Sequence, residues 1–268
     1  MLPSLSKLHK LAQDQNTGRL FIELGQNSIT AKLLAPRTER ILWDKVWGVD
    51  GYQDTKPYLQ VARELDQLLG STAPEISIVL PDPLVRHIRF EVESLPDKTR
   101  DIEALIQWRL KEEFFLETDQ HQLDYTIDTG DKQSVTVFAI DNEWLQQINE
   151  TFLAHNLLIA FYNIRTLHAM EAVHDVGKPG FIINIDETFV SYSHFGDKQL
   201  PLILESQTFA ADDRDGRYQF LQRARREFSA TLLHADTPAE KQILKLGNQN
   251  ADEALGEIFP DYSVQRIR

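Results

Sequence analysis

One succession of elements is written twice along this chain. From Leu20, three short β-prone runs, Leu20-Phe-Ile-Glu-Leu24, Ile29-Thr-Ala-Lys-Leu-Leu34 and Ile41-Leu-Trp-Asp-Lys-Val-Trp47, are separated by the turn-forming stretches Gly25-Gln-Asn-Ser28 and Pro36-Arg-Thr-Glu39. Thr55 and Pro57 then open a helical stripe of Leu59, Ala62, Leu65 and Leu69, which Gly70 closes. The apolar run Ile76-Ser-Ile-Val-Leu80, stopped by Pro81 and Pro83, suits a strand of a parallel sheet covered on both faces. After Gly177-Lys-Pro-Gly180, the best internal boundary, the order returns. Phe181-Ile-Ile-Asn-Ile185, Phe189-Val-Ser-Tyr-Ser193 and Leu200–Leu204 read as strands, Asp213–Leu233 as a helix, Gln242–Leu246 as a strand, Asp252–Phe259 as a helix and Ser263–Ile267 as a strand. Three strands, a helix, a strand and a helix thus occur twice, without repeated sequence and with no short-period solenoid repeat.

Between the two series lies additional material. Residues 84–154 read as an inserted unit: a strand Val85–Val92, a long helix Asp97–Phe115 with Ile102, Leu105, Ile106, Leu110 and Phe114 inward, and a hairpin of Gln122–Ile127 with Ser134–Ile140 around Thr129-Gly130-Asp131. Asp141 caps a helix carrying Leu145, Ile148 and Phe152. Leu157–Tyr162 reads as another buried strand and Arg165–His174 as a short helix. Residues 1–18 are an appendage, with Leu5, Leu8 and Leu11 at helical spacing before Asp14-Gln-Asn-Thr-Gly18 breaks the pattern. A docked or frayed helix accounts for it better than a membrane-surface helix, which wants more positive charge than Lys7 and Lys10 bring.

Charge and composition then exclude function classes. Among 268 residues, 28 Lys+Arg against 41 Asp+Glu leave a formal charge of −13, which opposes a counterion-driven hold on DNA or RNA. Cys is absent, so disulfides, thiolate metal sites and cysteine nucleophiles are excluded together. Leu157-Leu-Ile-Ala-Phe-Tyr162, the longest apolar run, is far below the ~20 residues that span a bilayer, and the first residues lack the apolar core of a secretory signal. The expectation is a soluble, cytoplasmic protein.

Few motifs carry chemistry. The run Ala211-Asp-Asp-Arg-Asp-Gly216 brushes against a calcium loop, but with Gly216 at the sixth position the first and last ligands fall on Ala211 and Gln222. As a turn and helix start its acidic residues suit the helix dipole. His87 and His194 sit in strand-like runs as packed side chains, and no HExxH, Walker, Gly-x-Ser-x-Gly or Gly-x-Gly-x-x-Gly pattern occurs. Arg223, Arg225 and Arg226, with Arg214 and Arg217 upstream, form the one basic concentration, read as a solvated helix face before a dock for acidic partners or anionic lipid.

A doubled βββαβα unit with an insertion is the layout of the actin-like ATPase (ribonuclease H-like) fold, and the residues resemble one branch of it. Phe21-Ile-Glu-Leu-Gly-Gln-Asn-Ser-Ile29 is similar to the first hairpin of PilM-type pilus-assembly proteins, where Asp-x-Gly-x-x-Ser holds phosphate and metal. Ile78-Val-Leu-Pro-Asp82, the helix Ile102–Phe115 and Leu123-Asp-Tyr125 resemble that family's extra subdomain, and Phe181-Ile-Ile-Asn-Ile-Asp-Glu-Thr188 sits where the second phosphate hairpin belongs. The resemblance covers most of residues 19–268. It implies actin-like domain 1 over 19–176, with the insert at about 84–154, and domain 2 over 177–268. The family includes GspL-like cytoplasmic domains of type II secretion and MshI-like proteins of the MSHA pilus, scaffolds at the inner membrane. The resemblance implies binding to the tail of a PilN-like inner-membrane protein and a link to the assembly motor ATPase. Arg109, Phe114 and Phe115 are the implied partner contacts; Phe114 and Phe115, adjacent on a helix, cannot both point inward.

The implied nucleotide contacts are Glu23, Gly25, Gln26, Asn27 and Ser28 in the first hairpin, Asn184, Asp186, Glu187 and Thr188 in the second, and Gly247 in the adenosine turn Lys245–Asn250. A phosphate hairpin needs close backbone N–H groups, hence small residues, and a carboxylate for the metal. Glu23 replaces the usual Asp with a longer arm, Asn184 removes a carboxylate, and Asp186 places a charge where phosphate approaches. Like charges at about 4 Å repel by roughly 1 kcal/mol in water and roughly 4 at a protein surface, a loss of about 5- to 1,000-fold in affinity. The expectation is a non-catalytic scaffold without cofactor or metal. The alternatives are a working actin-like ATPase that uses ATP and Mg, or a small-molecule kinase of the same superfamily.

Overall fold

A computed structural model describes residues 18–25, 27–35, 40–51, 56–69, 74–129, 133–172, 180–195, 201–210, 212–234, 242–247 and 252–266. These residues form two compact units that divide between Asn163 and Ile164. The sequence boundary at Gly177–Gly180 falls later, and the helix ahead of it packs in the second unit. Residues 1–17, with Leu5, Leu8 and Leu11, lie outside the described residues, as do Gln26, Thr55, Gly70 and the turn at Gly130.

The first unit holds β1 (Arg19–Leu24), β2 (Ser28–Leu34), β3 (Ile41–Gly48), α1 (Lys56–Leu69) and β4 (Glu75–Leu80). A second sheet follows from β5 (Val85–Val92), α2 (Thr99–Phe114), β6 (His121–Thr129) and β7 (Gln133–Asp141), before α3 (Asn142–Leu153) and β8 (Ile159–Ile164). The second unit holds α4 (Arg165–Ala172), β9 (Gly180–Ile185), β10 (Phe189–Phe195), β11 (Pro201–Thr208), α5 (Arg214–His234), β12 (Gln242–Gly247), α6 (Asp252–Ile258) and β13 (Ser263–Arg266). The predicted cap forms, the Asp141 carboxylate accepting from Trp144 N–H at 2.7 Å, and Asp213, read as the first helical residue, instead caps α5 by accepting from Gly216 N–H at 2.8 Å.

The two large sheets have one topology. Their orders, β3-β2-β1-β4-β8 and β11-β10-β9-β12-β13, match strand for strand, and in each the first three strands are antiparallel with the fourth parallel to the first. The match extends to single rungs. Leu24 opposite Ile29 closes one hairpin and Ile185 opposite Val190 the other. Gly25 N–H donates to Ser28 C=O at 2.7 Å, and Asp186 N–H to Phe189 C=O at 2.9 Å. Val49 N–H donates to Asn27 C=O at 3.0 Å, and Phe209 N–H to Thr188 C=O at 2.7 Å. Even a bulge recurs: the register shifts after Leu33 and after His194, bypassing Leu42 and Leu202. Glu23 is therefore equivalent to Asn184, Gly25 to Asp186, Leu33 to His194 and Val46 to Ser206.

The cores differ. The first sheet buries Leu20, Ile22, Leu24, Ile29, Ile76 and Ile78, with Val61, Ala62 and Leu65 of α1 also buried; Tyr58 meets Trp144 of α3 edge to face at 6.2 Å. The second sheet is covered on both faces. One carries Phe181, Ile183, Tyr192 and Ile243 with Phe220 and Phe228 of α5 and Leu255 of α6; the other joins Ile182, Leu244 and Leu246 to Ala169 and Met170 of α4. Each fully buried Phe or Ile in such a core contributes about 1.5–3 kcal/mol. All four tryptophans, Trp43, Trp47, Trp108 and Trp144, lie in the first unit.

Two burial expectations are corrected. The apolar run at Leu157–Tyr162 becomes β8, an edge strand whose residues are mostly half-buried, because it has one neighbouring strand instead of two. β4 is parallel to β1, but its Glu75 and Ser77 are half-buried, so double-faced burial is confined to Val79 and Leu80 at its end.

Candidate functional site

The first hairpin tip is built by β1 and β2. Gly25 lies close to its partner strand: a Cβ there would stand 3.1 Å from Ser28 O, a tight contact, which the second hairpin accommodates at Asp186. Glu23 sits on the strand before the tip, half-buried, in register with Thr30 of β2 and Val79 of β4. Asn27 is exposed and Ser28 half-buried. Gln26 lies outside the described residues. This tip keeps its small residue.

The second tip is closed by its own charges. Asp186 stands where Gly25 does, and its Oδ2 pairs with Arg165 Nη1 at 3.2 Å, both side chains being about one-fifth exposed. Its Oδ1 accepts from Glu187 N–H at 2.7 Å. Arg217, in the first turn of α5, donates Nη1 to the carbonyl of Asp186 at 2.7 Å and Nη2 to the carbonyl of Glu187, while its guanidinium lies 5.6 Å from the Phe209 ring centre. Asn184 is fully buried beneath the turn, and the Thr188 hydroxyl is buried without a hydrogen-bond partner. The repulsion expected from a bare Asp186 carboxylate is thus corrected. Arg165 balances that charge, so the carboxylate does not stand as an open negative one. Strand sequence alone did not point to Arg165. Arg217 was visible only as one member of a basic run.

The other members of that run are spread round α5. Arg223 pairs with Glu205 and lies 3.7 Å from Glu227, and Arg225 lies 4.0 Å from Asp261. His194 is buried and stacked on Phe181 with ring centres 4.9 Å apart; burial pushes its pKa down to about 4, leaving it neutral at pH 7. Gly247 ends β12 opposite Ile185, and the turn beyond it at 248–250 lies outside the described residues. Among the described residues, no group of three or more His, Asp or Glu side chains is placed to hold a metal ion, and no helix is long and apolar enough to cross a membrane.

The insert is a three-stranded sheet, β5-β7-β6, with α2 on one face burying Ile106 and Leu110 against Phe90, Val135 and Val137. Arg109 and Phe114 face this core: the guanidinium sits 5.4 Å from the Phe90 ring centre and reaches Glu113 at 3.1 Å, and Phe114 lies 5.9 Å from Phe90. Phe115 points away, 85% exposed, with φ 52° and ψ 38°. That left-handed position after a helix is normally a glycine's, and a side chain there costs about 1–2 kcal/mol. The three implied contacts therefore divide into two packed residues and one presented aromatic, with Trp108 57% exposed on the same helix. On β6, burial raises the Asp124 carboxyl pKa against the opposing hydrogen bond from Tyr125 N–H at 3.0 Å.

No protein-family model matches the sequence, and no curated protein matches it. Solved structures do match. A PilM-PilN type IV pilus biogenesis complex aligns with a TM-score of 0.71 at 12% identity, over 94% of this chain and 89% of that one. The cytoplasmic domain of EpsL, an inner-membrane component of the type II secretion system of Vibrio cholerae, aligns at 0.56 and 10% identity, over 87% and 83%. A Bacteroides thetaiotaomicron protein of unknown function described as having an actin-like ATPase fold aligns at 0.59 and 12% identity, over 99% and 94%. With two sheets of one strand order and these neighbours, the chain has the actin-like ATPase fold.

Proposed function

We propose that this chain is a non-catalytic adaptor on the cytoplasmic side of an inner-membrane platform, of the type IV pilus, MSHA pilus or type II secretion kind. In this reading it binds the tail of a PilN-like membrane protein, links it to the assembly motor, and reaches the membrane only through that partner. The observation that carries the silent part is the second hairpin. The Asp186 carboxylate takes up donors that would otherwise be open to a phosphate, the Glu187 N–H and the Arg165 guanidinium. Asn184 in place of an acid and the longer Glu23 support it. The fold shared with the PilM-PilN complex and with EpsL supports the adaptor part. Phe115 is its strongest contact candidate, a presented aromatic of the kind that anchors interfaces.

Thermal unfolding with Mg-ATP tests the first part. The midpoint is expected to stay unchanged; a saturable rise equivalent to about 2.7 kcal/mol at a hundredfold excess over Kd would overturn it. Titration with a synthetic tail of a PilN-type protein tests the second. Binding that weakens at least tenfold in Phe115→Ala is expected, and no binding by the unaltered chain would overturn the adaptor.

A further inference from the structure

The two large sheets end on strands of unequal character. β3 and β11 hold the same position in the two orders. The bond from Val49 N–H to Asn27 C=O, 3.0 Å, sets the phase of the β2–β3 ladder. Residues of an antiparallel strand alternately turn their N–H and C=O toward a given neighbour and away from it, so those of Asp44, Val46 and Gly48 face outward. The matching bond from Phe209 N–H to Thr188 C=O turns out Leu204, Ser206 and Thr208 of β11.

On β11 this outer row is guarded. Pro201 opens the strand, the Leu204 side chain is buried, and Ser206 stands where β3 has Val46. On β3 the side chains of Ile41, Leu42 and Val46 are 51%, 52% and 60% exposed, with Asp44 exposed between them. Sheet edges carrying an apolar row are templates for strand addition, which proteins otherwise blunt with proline and polar residues.

A second copy is a poor occupant. Two-fold antiparallel pairing sets residues of one sheet face opposite each other, so the longest overlaps centre on Asp44 or on Lys45 and bring like charges together. The formal charge of −13 adds to that repulsion and favours a basic guest. We propose that the outer edge of β3 takes up an extended segment of a partner protein as an added strand, its apolar residues alternating about a Lys or Arg set opposite Asp44. The site is independent of the hairpins and of the pilus reading.

The probe is a capped peptide, Thr-Val-Thr-Lys-Thr-Val-Thr, titrated into the full chain and followed by backbone amide NMR. The Asp44 and Val46 amides are expected to shift and to exchange more slowly with solvent. Val46→Pro removes one outward N–H without touching the bonds to β2, so it should keep the unfolding midpoint and bind at least tenfold more weakly. A peptide N-methylated along its pairing edge should not bind the unaltered chain, whatever the fate of the variant. Failure of any β3 amide to respond at millimolar peptide, or equal binding of the methylated peptide, would sink the proposal. So would a dimer of the unaltered chain, seen by sedimentation, that Val46→Pro dissociates.

Discussion

The two hairpins share a rung-for-rung frame and differ in what fills the tip. The first keeps Gly25 packed against Ser28; the second carries Asp186 at that place, held by Arg165, with Arg217 on the carbonyls below. Backbone geometry is the same where side-chain chemistry differs. A frame set by ladder bonds accepts different tips, because its stability comes from strand pairing and core burial. The second unit has also put a buried imidazole, His194, where the first has Leu33, so the halves should differ in their response to acid as well as to phosphate.

Acid gives the largest expected contrast. His194 has a folded pKa of about 4 against an ordinary 6.5, so between those values the unfolded chain binds the extra proton. Its neutral form favours folding above pH 6.5, and that contribution is lost as pH falls toward 4, by about 3 kcal/mol in all. The second unit should weaken first. Tryptophan fluorescence reports the first unit alone, while circular dichroism reports both, so the two transitions should separate on acidification. His194→Leu, which copies the first unit's rung, should bring them back together; an unchanged gap would exclude the histidine as its source.

Arg217→Met comes next. It keeps the stem against Phe209 and strips two charged hydrogen bonds from the turn, for an expected loss of about 2 kcal/mol in urea unfolding of the second unit, with the tryptophan transition unmoved. A loss shared equally by both transitions would show that the halves unfold as one. Phe115→Gly, in the insert that has no counterpart in the second unit, has the smallest effect and the opposite sign. Relief of the left-handed backbone should raise stability by about 1 kcal/mol by tryptophan-detected unfolding. A fall would mean that the exposed ring is held by packing.

The doubled order of elements was legible because each strand or helix announces itself locally, through alternation, a capping Asp141, and turn residues at Gly25 and Gly177. That Asn184 stands where the resembling family has an acid was legible only through that resemblance. What balances Asp186 was not. Arg165 and Arg217 lie 21 and 31 residues away along the chain, and only the packing of α4 and α5 on one sheet brings them to it. The edge position of β8 was hidden too, since an apolar run reads alike whether one strand or two flank it. The recurrent bulge at Leu42 and Leu202 is a property of pairing, and no composition encodes it.

Arg217 grips main-chain oxygens, and those are the same for every amino acid. That grip is therefore indifferent to which side chain stands at position 187. What has to persist is a guanidinium in the first turn of the helix across from it, a demand written on a distant segment and silent at the loop it shapes.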